Sequence, residues 1–294
     1  MKLAIYGRVY KREYQKELQN LFDYLHQNDI MFWVEESFLI QCKQAEIRIK
    51  ETNSFDSYEM LKENPVDYLI SIGGDGTILD SLTYIRELQI PVLGINSGRL
   101  GFLAGVSMDK APKAIENLVK GHYQIDSRSV LQLESNQPLF GGIKYALNDF
   151  VIHKKDSSSM IIIHTYINGE FLNTYWSDGL IISTPTGSTG YSLSCGGPIL
   201  YPTSASFAIT PVAPHNLNVR PIIVSDENVL SFEIEGRATS YLVSLDSRSE
   251  SINNNTQLAV RKADFKFNMV RFNDDNYLNT LRKKLMWGVD NRNT

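Results

Sequence analysis

Strand-like and helix-like patterns alternate along the first third of the chain. Apolar runs predict strands over 2–6, 31–34 and 91–95, and the helical spacing of leucines predicts a helix over about 11–27. The polar stretch 35–64 is predicted to hold a helix and a loop. Strands that alternate with helices form parallel sheets with helices on both faces. This region therefore predicts an α/β domain with a parallel, Rossmann-like sheet.

From about Ser107 the pattern changes. A short helix over 111–120 precedes a long series of apolar runs of strand length, and Asn168-Gly169 between two of them is typical of a type I′ hairpin. The runs are 129–134, 143–153, 160–167, 170–174, 179–183, 207–210, 222–225, 229–235, 241–244, 257–261 and 265–272. The segment 276–287 is predicted to be helical. The sequence thus predicts a second, β-rich region in the C-terminal part.

Composition narrows the function classes. The 294 residues are 43% hydrophobic and 21% charged, which is typical of one large or two ordinary globular domains. The net charge is −4, and Arg282-Lys283-Lys284 is the longest basic run, so neither nucleic acid nor an anionic membrane is a favoured partner. Cys42 and Cys195 are far apart and predict neither a disulfide framework nor a zinc site. With no apolar segment of signal-peptide or membrane-span length, we expect a cytoplasmic protein.

The stretch Val66–Leu79 carries the strongest chemical signal. A buried strand leads into Gly73-Gly74-Asp75-Gly76-Thr77, and apolar spacing then predicts a helix. Main-chain amides at such a strand–turn–helix junction suit a phosphate. A carboxylate there would repel phosphate, unless it acts on a hydroxyl beside it, as a base or through a metal. The alternative is a tight turn in which Asp75 caps the helix.

Two familiar phosphate-binding motifs are excluded at this turn. A Walker A loop needs Lys-Ser/Thr after its last glycine, and a dinucleotide fingerprint needs a third glycine where this chain has Leu79. A second glycine loop, Asn96–Leu103, also follows a strand. Because ligands bind beyond the carboxyl ends of parallel strands, the two loops are predicted to meet at one rim of the sheet.

A hydroxyl-rich stretch in the second region is the next signal. Asp178–Ser194 runs from a strand through Ser-Thr-Pro into a loop with many hydroxyls and two glycines, where Ser188 or Thr189 is placed to cap a helix. Such a loop can hydrogen-bond a base, a ribose or a phosphate, and a capped turn is the alternative. Asn148-Asp149 lies at the end of a β run, and Leu245–Arg248 has the pattern of a hairpin turn.

Taken in order along the chain, these motifs resemble the NAD kinase family. The family's usual Asn-Glu is Asn148-Asp149 here, which keeps the charge on a shorter side chain. The Gly-Gly-Asp-Gly turn alone is shared with lipid kinases, and the hydroxyl-rich stretch is more specific. The matching segments are Gly73–Thr77, Gly94–Phe102, Asp178–Tyr191, Gly196–Pro198, Pro214–Leu217, Arg220-Pro221, Leu245-Asp246 and Leu281–Gly288.

The resemblance implies an activity and roles for individual residues. The γ-phosphoryl group of ATP would pass to the 2′-hydroxyl of the adenosine ribose of NAD, giving NADP. Asp75 would be the catalytic residue, accepting or orienting the hydroxyl proton. Asp149 would hold the ribose, Asp178 would lie near the other end of the dinucleotide, and Asp246 would complete the site from the same or a neighbouring subunit. The remaining implied binding residues are Gly73, Gly74, Gly76 and Thr77 for donor phosphates, Asn148, Thr189, Gly190 and Tyr191 for adenine, and Thr186 and Ser194 in the same hydroxyl-rich stretch.

The resemblance also implies a domain division and partners. An α/β nucleotide-binding domain of residues 1–107 would be joined by the returning segment 268–294, and 108–267 would form a β-rich NAD-binding domain. A divalent metal, Mg²⁺, would accompany ATP, with no residue assigned to hold it, and the protein would be a homodimer or homotetramer. Two alternatives are a lipid kinase that shares the Gly-Gly-Asp-Gly turn and a non-catalytic dinucleotide sensor. The sensor is suggested by Asp149, whose side chain is shorter than the family's usual Glu.

Overall fold

The computed structural model describes residues 1–8, 11–50, 52–98, 101–155, 160–236, 239–272 and 276–286. Contacts divide the chain into two compact units, of which unit 1 is Met1–Asp126 with Asn268–Thr294 and unit 2 is Ser127–Phe267. The division predicted from the sequence, 1–107 with 268–294 and 108–267, stays a prediction about functional domains.

Unit 1 alternates strands and helices, as its apolar pattern predicts. Its first strands are β1 (Lys2–Gly7), β2 (Met31–Glu35), β3 (Asn53–Phe55), β4 (Tyr68–Gly73), β5 (Val92–Asn96) and β6 (Val106–Ser107). The helices between them are α1 (Gln15–Gln27), α2 (Glu36–Gln44), α3 (Tyr58–Glu63), α4 (Asp75–Ile85) and α5 (Ala111–Val119).

The strands of unit 1 form a parallel sheet in the order β6-β5-β4-β1-β2-β3. Leucines of α1 spaced three to four residues apart pack with the aliphatic residues of β1 and β2 into one core. Gly73 pairs with Asn96 in register, so the carboxyl ends of β4 and β5 lie side by side. This confirms the predicted meeting of the two glycine loops at one rim of the sheet.

Unit 2 is built almost entirely of strands. They are β7 (Gln124–Ser135), β8 (Tyr145–Ala146), β9 (Asp149–Lys154), β10 (Ile161–Ile167), β11 (Glu170–Ser177), β12 (Gly179–Ser183), β13 (Ser206–Val212), β14 (Ile222–Ser225), β15 (Leu230–Glu235), β16 (Tyr241–Leu245), β17 (Arg248–Ile252) and β18 (Leu258–Arg271). One short helix, α6 (Tyr191–Ser194), follows a 3-10 turn, Gly187–Thr189.

Two sheets of unit 2 share one core. The antiparallel order β14-β13-β12-β9-β16-β17 makes the first, and β11-β10-β15-β18 make the second. Their inner residues form a single apolar cluster, in which the rings of Phe150 and Phe232 lie 6.0 Å apart. After β18, the helix α7 (Tyr277–Leu285) belongs to unit 1. Trp287 and Gly288, which were part of the predicted terminal helix and motif, lie outside the described residues.

The structure corrects several predicted elements. The run 143–153 is broken between β8 and β9, so Asp149 is the first residue of β9 and Asn148 directly precedes it, instead of the pair ending a strand. The polar segment 35–64 contains the short β3, and β17 was not predicted because its pattern is mainly polar. The predicted strands 257–261 and 265–272 are one strand, β18. Ser188 and Thr189 do not cap a helix, since Gly190 precedes α6 without a side-chain cap.

Candidate active site

The Gly-Gly-Asp-Gly turn lies between β4 and α4, where the sequence predicts it. Gly74 precedes the helix, and Asp75 and Gly76 are its first two residues. Amides at these first positions have no carbonyl four residues earlier to bond, and the helix dipole makes this end positive. The amide of Thr77 instead donates to the Gly74 carbonyl at 3.0 Å. The turn therefore presents main-chain donors to an anion at Gly74, Asp75 and Gly76.

Asp75 does not cap its own helix. The helix has no side-chain cap, and the half-buried carboxylate instead accepts hydrogen bonds from the amides of Phe102 at 2.7 Å, Leu103 at 3.0 Å and Ala104 at 3.1 Å. These amides belong to the end of the second glycine loop and to Ala104, which directly follows it. The capping alternative is thus wrong, and Asp75 ties the two loops together. An ionised carboxylate offers about four acceptor positions, so three amides leave about one for a further donor.

The contact between the Asp75 carboxylate and the second glycine loop requires a glycine at position 101. A Cβ atom at this position would lie 1.8 Å from Oδ1 of Asp75, far closer than any non-bonded contact allows. The neighbouring Arg99 and Leu100 lie outside the described residues. Lys11 binds the start of the same loop, with Nζ donating to the Ser97 carbonyl at 2.9 Å. The second glycine loop is therefore shaped around the Asp75 carboxylate.

In unit 2, Asn148-Asp149 meets the hydroxyl-rich loop. The carbonyl of Asn148 accepts from the Thr184 amide at 2.9 Å, and Thr184 Oγ1 donates to the Leu147 carbonyl at 2.5 Å. A Cβ atom on Gly187 would lie 2.2 Å from the Asn148 carbonyl oxygen, so only glycine permits this approach. The structure thus brings together Asn148, Asp149 and the loop that holds Thr186, Thr189 and Gly190.

Two buried acceptors lie at this junction, the side chains of Asn148 and Asp149. Oδ1 of Asn148 is buried and makes no hydrogen bond among the described residues. Asp149 is only 6% exposed, and burial raises its pKa to about 7, with a further contribution from the negative charge of Asp246. Buried polar atoms are normally hydrogen-bonded, so each exception needs an explanation. A ligand that brings N–H and O–H donors would satisfy this pair.

Asp246 lies in the hairpin turn between β16 and β17, as the sequence pattern predicts, and its side chain holds the main chain of a neighbouring segment. Its carboxylate accepts from the amides of Leu147 at 2.8 Å, Asn148 at 2.7 Å and Asp149 at 3.1 Å. Burial raises the pKa of Asp246, while these amides and the Arg248 charge favour its ionised form. Asp246 therefore shapes the Asn148-Asp149 segment of its own chain.

The other predicted residues lie further along the same loop and strand. Asp178 is at the start of β12, opposite the end where Ser183 pairs with Asp149, and it forms a 2.6 Å ion pair with Lys154. The structure therefore does not bring Asp178 to Asn148-Asp149. Tyr191 and Ser194 are exposed on α6. Burial, the adjacent Cys195 and the charges of Asp178 and Asp149 all raise the pKa of Tyr191.

Sequence reasoning missed two arginines. Arg128 is 3% exposed and donates from Nη1 to Thr186 Oγ1 at 3.2 Å, so a buried cation contacts the hydroxyl-rich loop. Arg271, the last residue of β18, donates to the carbonyls of Phe102 and Leu103 in the second glycine loop. Neither belongs to a motif. The one available signal is a charged residue at a strand position where the alternating pattern calls for burial.

Comparisons with known proteins decide the family. The chain matches the ATP-NAD kinase N-terminal domain over residues 3–123 and the ATP-NAD kinase C-terminal domain over residues 147–272. The NAD kinase of Cytophaga hutchinsonii is 48% identical over 293 residues, which is 100% of both chains. The chain belongs to the NAD kinase family. The resemblance read from the motifs is thereby confirmed, and the chain is a phosphotransferase.

Solved structures confirm the fold of this NAD kinase family member. Yeast NADH kinase complexed with NADH superposes with a TM-score of 0.90 at 21% identity, covering 100% of this chain and 89% of that chain. An NAD kinase from Archaeoglobus fulgidus in complex with ATP superposes with a TM-score of 0.73 at 23% identity, covering 97% and 99%. The predicted fold class, an α/β domain with a parallel sheet followed by a β-rich domain, is correct.

The comparisons give no support to the alternatives of a lipid kinase or a non-catalytic sensor. Within the described part of the chain, every helix is too short or too polar to cross a bilayer.

Proposed function

We propose that this chain transfers the γ-phosphoryl group of ATP to the 2′-hydroxyl of the adenosine ribose of NAD, and that the residues described above carry the reaction. The observation that supports it most directly is the buried Asn148 Oδ1, which has no hydrogen-bond partner among the described residues, beside the buried carboxylate of Asp149. Adenine offers an amino group and ribose offers hydroxyl groups, which are donors that these two side chains can accept from. Thr189, Gly190 and Tyr191 would line the adenine, with Thr186 and Ser194 in the same loop. Asp178 would lie near the nicotinamide end.

The Gly-Gly-Asp-Gly turn is proposed to bind the phosphates of ATP. Gly73, Gly74, Gly76 and Thr77 would form the site for the donor phosphates at the positive end of α4, with the main-chain amides of Gly74, Asp75 and Gly76 as the donors. Asp75 would use its remaining acceptor position to orient the 2′-hydroxyl and to take its proton. Because the three loop amides fix the carboxylate, it would meet the hydroxyl without reorganisation. Positioning and charge stabilisation are what phosphoryl transfer requires of a protein.

A divalent metal, Mg²⁺, is proposed to enter with ATP. Among the described residues no three His, Cys, Asp or Glu side chains come together as a metal cage. Mg²⁺ in nucleotide sites keeps several waters and binds the substrate phosphates, so it needs no dedicated protein cage. The ion would neutralise phosphate charge near Asp75.

We further propose a cytoplasmic homodimer or homotetramer. Unit 2 exposes large apolar side chains on its edge strands β11 and β14 and on the connection between β13 and β14, which a second copy would cover. They are Phe171, Trp176, Leu217, Ile222 and Ile223. We also propose two functional domains. Residues 1–107 with 268–294 would form the nucleotide-binding domain, and residues 108–267 would form the NAD-binding domain.

A coupled assay tests the activity. Purified protein, NAD, ATP and Mg²⁺ are incubated, and NADP is detected with an NADP-dependent dehydrogenase. We expect NADP only when all three are present, and no phosphorylation of diacylglycerol in micelles. Binding of NAD without NADP formation would favour the sensor alternative, and lipid phosphorylation would favour the lipid kinase.

The pKa of Asp149 predicts how NAD binding depends on pH. The ionised carboxylate accepts a hydrogen bond from a ribose hydroxyl, so NAD affinity is expected to fall as pH drops below about 7, approaching tenfold per pH unit. Titration calorimetry with NAD alone between about pH 5.5 and 8.5 measures this without the ionisation of ATP. Asp149→Asn should remove the dependence. An unchanged profile in that variant would contradict the role of Asp149.

The raised pKa of Asp149 affects the stability of the fold in the opposite direction from NAD binding. The folded-state pKa lies above the ordinary value of 3.8, so the folded protein holds more protons than the unfolded one between about pH 4 and 7. The contribution of Asp149 to the free energy of unfolding is therefore fully present below about pH 4 and is lost as the pH rises to about 7. Acid should weaken NAD binding through Asp149 without weakening the fold through it.

A further inference from the structure

The second glycine loop is held on both sides of its main chain. The amides of Leu103 and Ala104 donate to Asp75, and the carbonyls of the same two peptide groups, those of Phe102 and Leu103, accept from Arg271. Nη1 of Arg271 lies 3.1 Å from the Leu103 oxygen, and Nη2 lies 3.3 Å from the Phe102 oxygen. Two consecutive peptide groups thus connect the guanidinium to the carboxylate.

Arg271 is itself oriented by an acid. Its Nε lies 3.4 Å from Oδ2 of Asp126, and the two side chains are 17% and 22% exposed. A guanidinium presents its N–H groups in a fixed plane, so one side of the fork can bind Asp126 while the other binds two carbonyls. A lysine has no such fork and cannot make this set of contacts.

The loop depends on these anchors because the described residues 101–105 form neither helix nor strand. The rotamer of Asp75 in turn depends on where the amides of 102–104 lie. Gly101 brings the main chain so close that the carboxylate has no room to shift toward it. Movement of the carbonyls that Arg271 binds would therefore move the amides that fix Asp75.

We infer that Arg271 is a positioning residue for Asp75, acting through the main chain of Phe102 and Leu103. The inference rests on the proposed function, in which Asp75 acts on the 2′-hydroxyl. Arg271 lies about 200 residues from the turn in sequence and belongs to none of the motifs that identify the family. A catalytic group displaced by about 1 Å can lose about 100-fold in rate, so a remote anchor of this kind affects turnover directly.

Two substitutions separate geometry from charge. Arg271→Lys keeps the positive charge beside Asp126 and loses the fork, while Arg271→Met loses both. We expect kcat to fall about tenfold in Arg271→Lys and up to about 100-fold in Arg271→Met, with KM for NAD changed less than about twofold. NAD is proposed to bind through unit 2 residues, so a split between kcat and KM distinguishes positioning from general loss of structure.

Arg261→Lys is the matched control. This arginine is on the same strand, and it contacts Glu134, Asp264 and the Lys262 carbonyl. None of these three contacts of Arg261 involves the glycine loops. The kcat of the Arg261→Lys variant should therefore stay within about twofold of the wild-type value. Thermal unfolding of all variants gives the folded fraction by which each rate is corrected.

A double-mutant cycle tests the coupling itself. If Arg271 acts through Asp75, then Arg271→Lys should change kcat by less than about twofold in an Asp75→Asn background. Equal fold-losses in both backgrounds would overturn the inference, as would wild-type kcat in Arg271→Lys or Arg271→Met. The proposed function fails separately, because in that case the wild-type protein makes no NADP at all.

Discussion

Asp75→Asn is expected to lower kcat for NADP formation by about 10³-fold. The amide cannot take the 2′-hydroxyl proton, and its NH₂ group would face one of the loop amides that now donate to Oδ1 or Oδ2. That unmatched donor should also cost about 1–3 kcal/mol of unfolding free energy. Initial rates in the coupled assay and chemical denaturation measure the two effects.

Asp67→Asn serves as the control for this substitution. Asp67 also lies in unit 1 and accepts a main-chain hydrogen bond, from the Lys2 amide at 2.6 Å, but it is exposed and outside both glycine loops. Its kcat should match wild type. If Asp75→Asn kept full kcat, Asp75 would be only a structural link between the loops.

Asp246→Asn is expected to raise KM for NAD about tenfold and to lower the free energy of unfolding by about 1–3 kcal/mol. The NH₂ group of asparagine would replace one of the two oxygens, so it would face either the amide of Leu147 or the amides of Asn148 and Asp149. The segment that presents Asn148 and Asp149 would shift. Removing the negative charge should also lower the pKa of Asp149, moving the midpoint of NAD binding to lower pH.

The matching control is Asp264→Asn, whose side chain is 89% exposed and pairs with Arg261. Its effect on stability should stay within about 0.5 kcal/mol. An unchanged KM and an unchanged pH midpoint in Asp246→Asn would contradict the proposed role of Asp246.

Asp75 and Asp246 share one physical arrangement. Each carboxylate accepts hydrogen bonds from three main-chain amides that are distant in sequence. These amides are 27–29 residues away from Asp75 and 97–99 residues away from Asp246. A charge-assisted hydrogen bond to an amide is stronger than a neutral one, so three of them can hold an irregular loop in one conformation. In both units an acid fixes the main chain beside a proposed substrate.

The sequence predicts much of this site because its turns have local causes. Gly73 to Thr77 follows an apolar strand and opens a helical pattern, and Asn168-Gly169 and Leu245–Arg248 have the residues that their hairpins require. Family motifs add the residues of the hydroxyl-rich loop. Such features depend on neighbours in the chain, which a single sequence displays.

What the sequence does not predict has non-local causes. The break before Asn148 follows from the hydrogen bond of its carbonyl with the Thr184 amide. β18 stays continuous because it pairs with β15 at its start and with β5 near its end. Arg271 matters through two carbonyls about 170 residues away. No periodicity marks such contacts, because they exist only once both partners are folded.

The most direct test of the central claim is the fate of the transferred phosphate. Wild-type protein with NAD, ATP and Mg²⁺ is followed by phosphorus NMR until the donor is consumed. The proposal predicts one NADP, phosphorylated at the adenosine 2′-oxygen, for every ADP formed. ADP without NADP, or phosphate on any other oxygen of the dinucleotide, would contradict it.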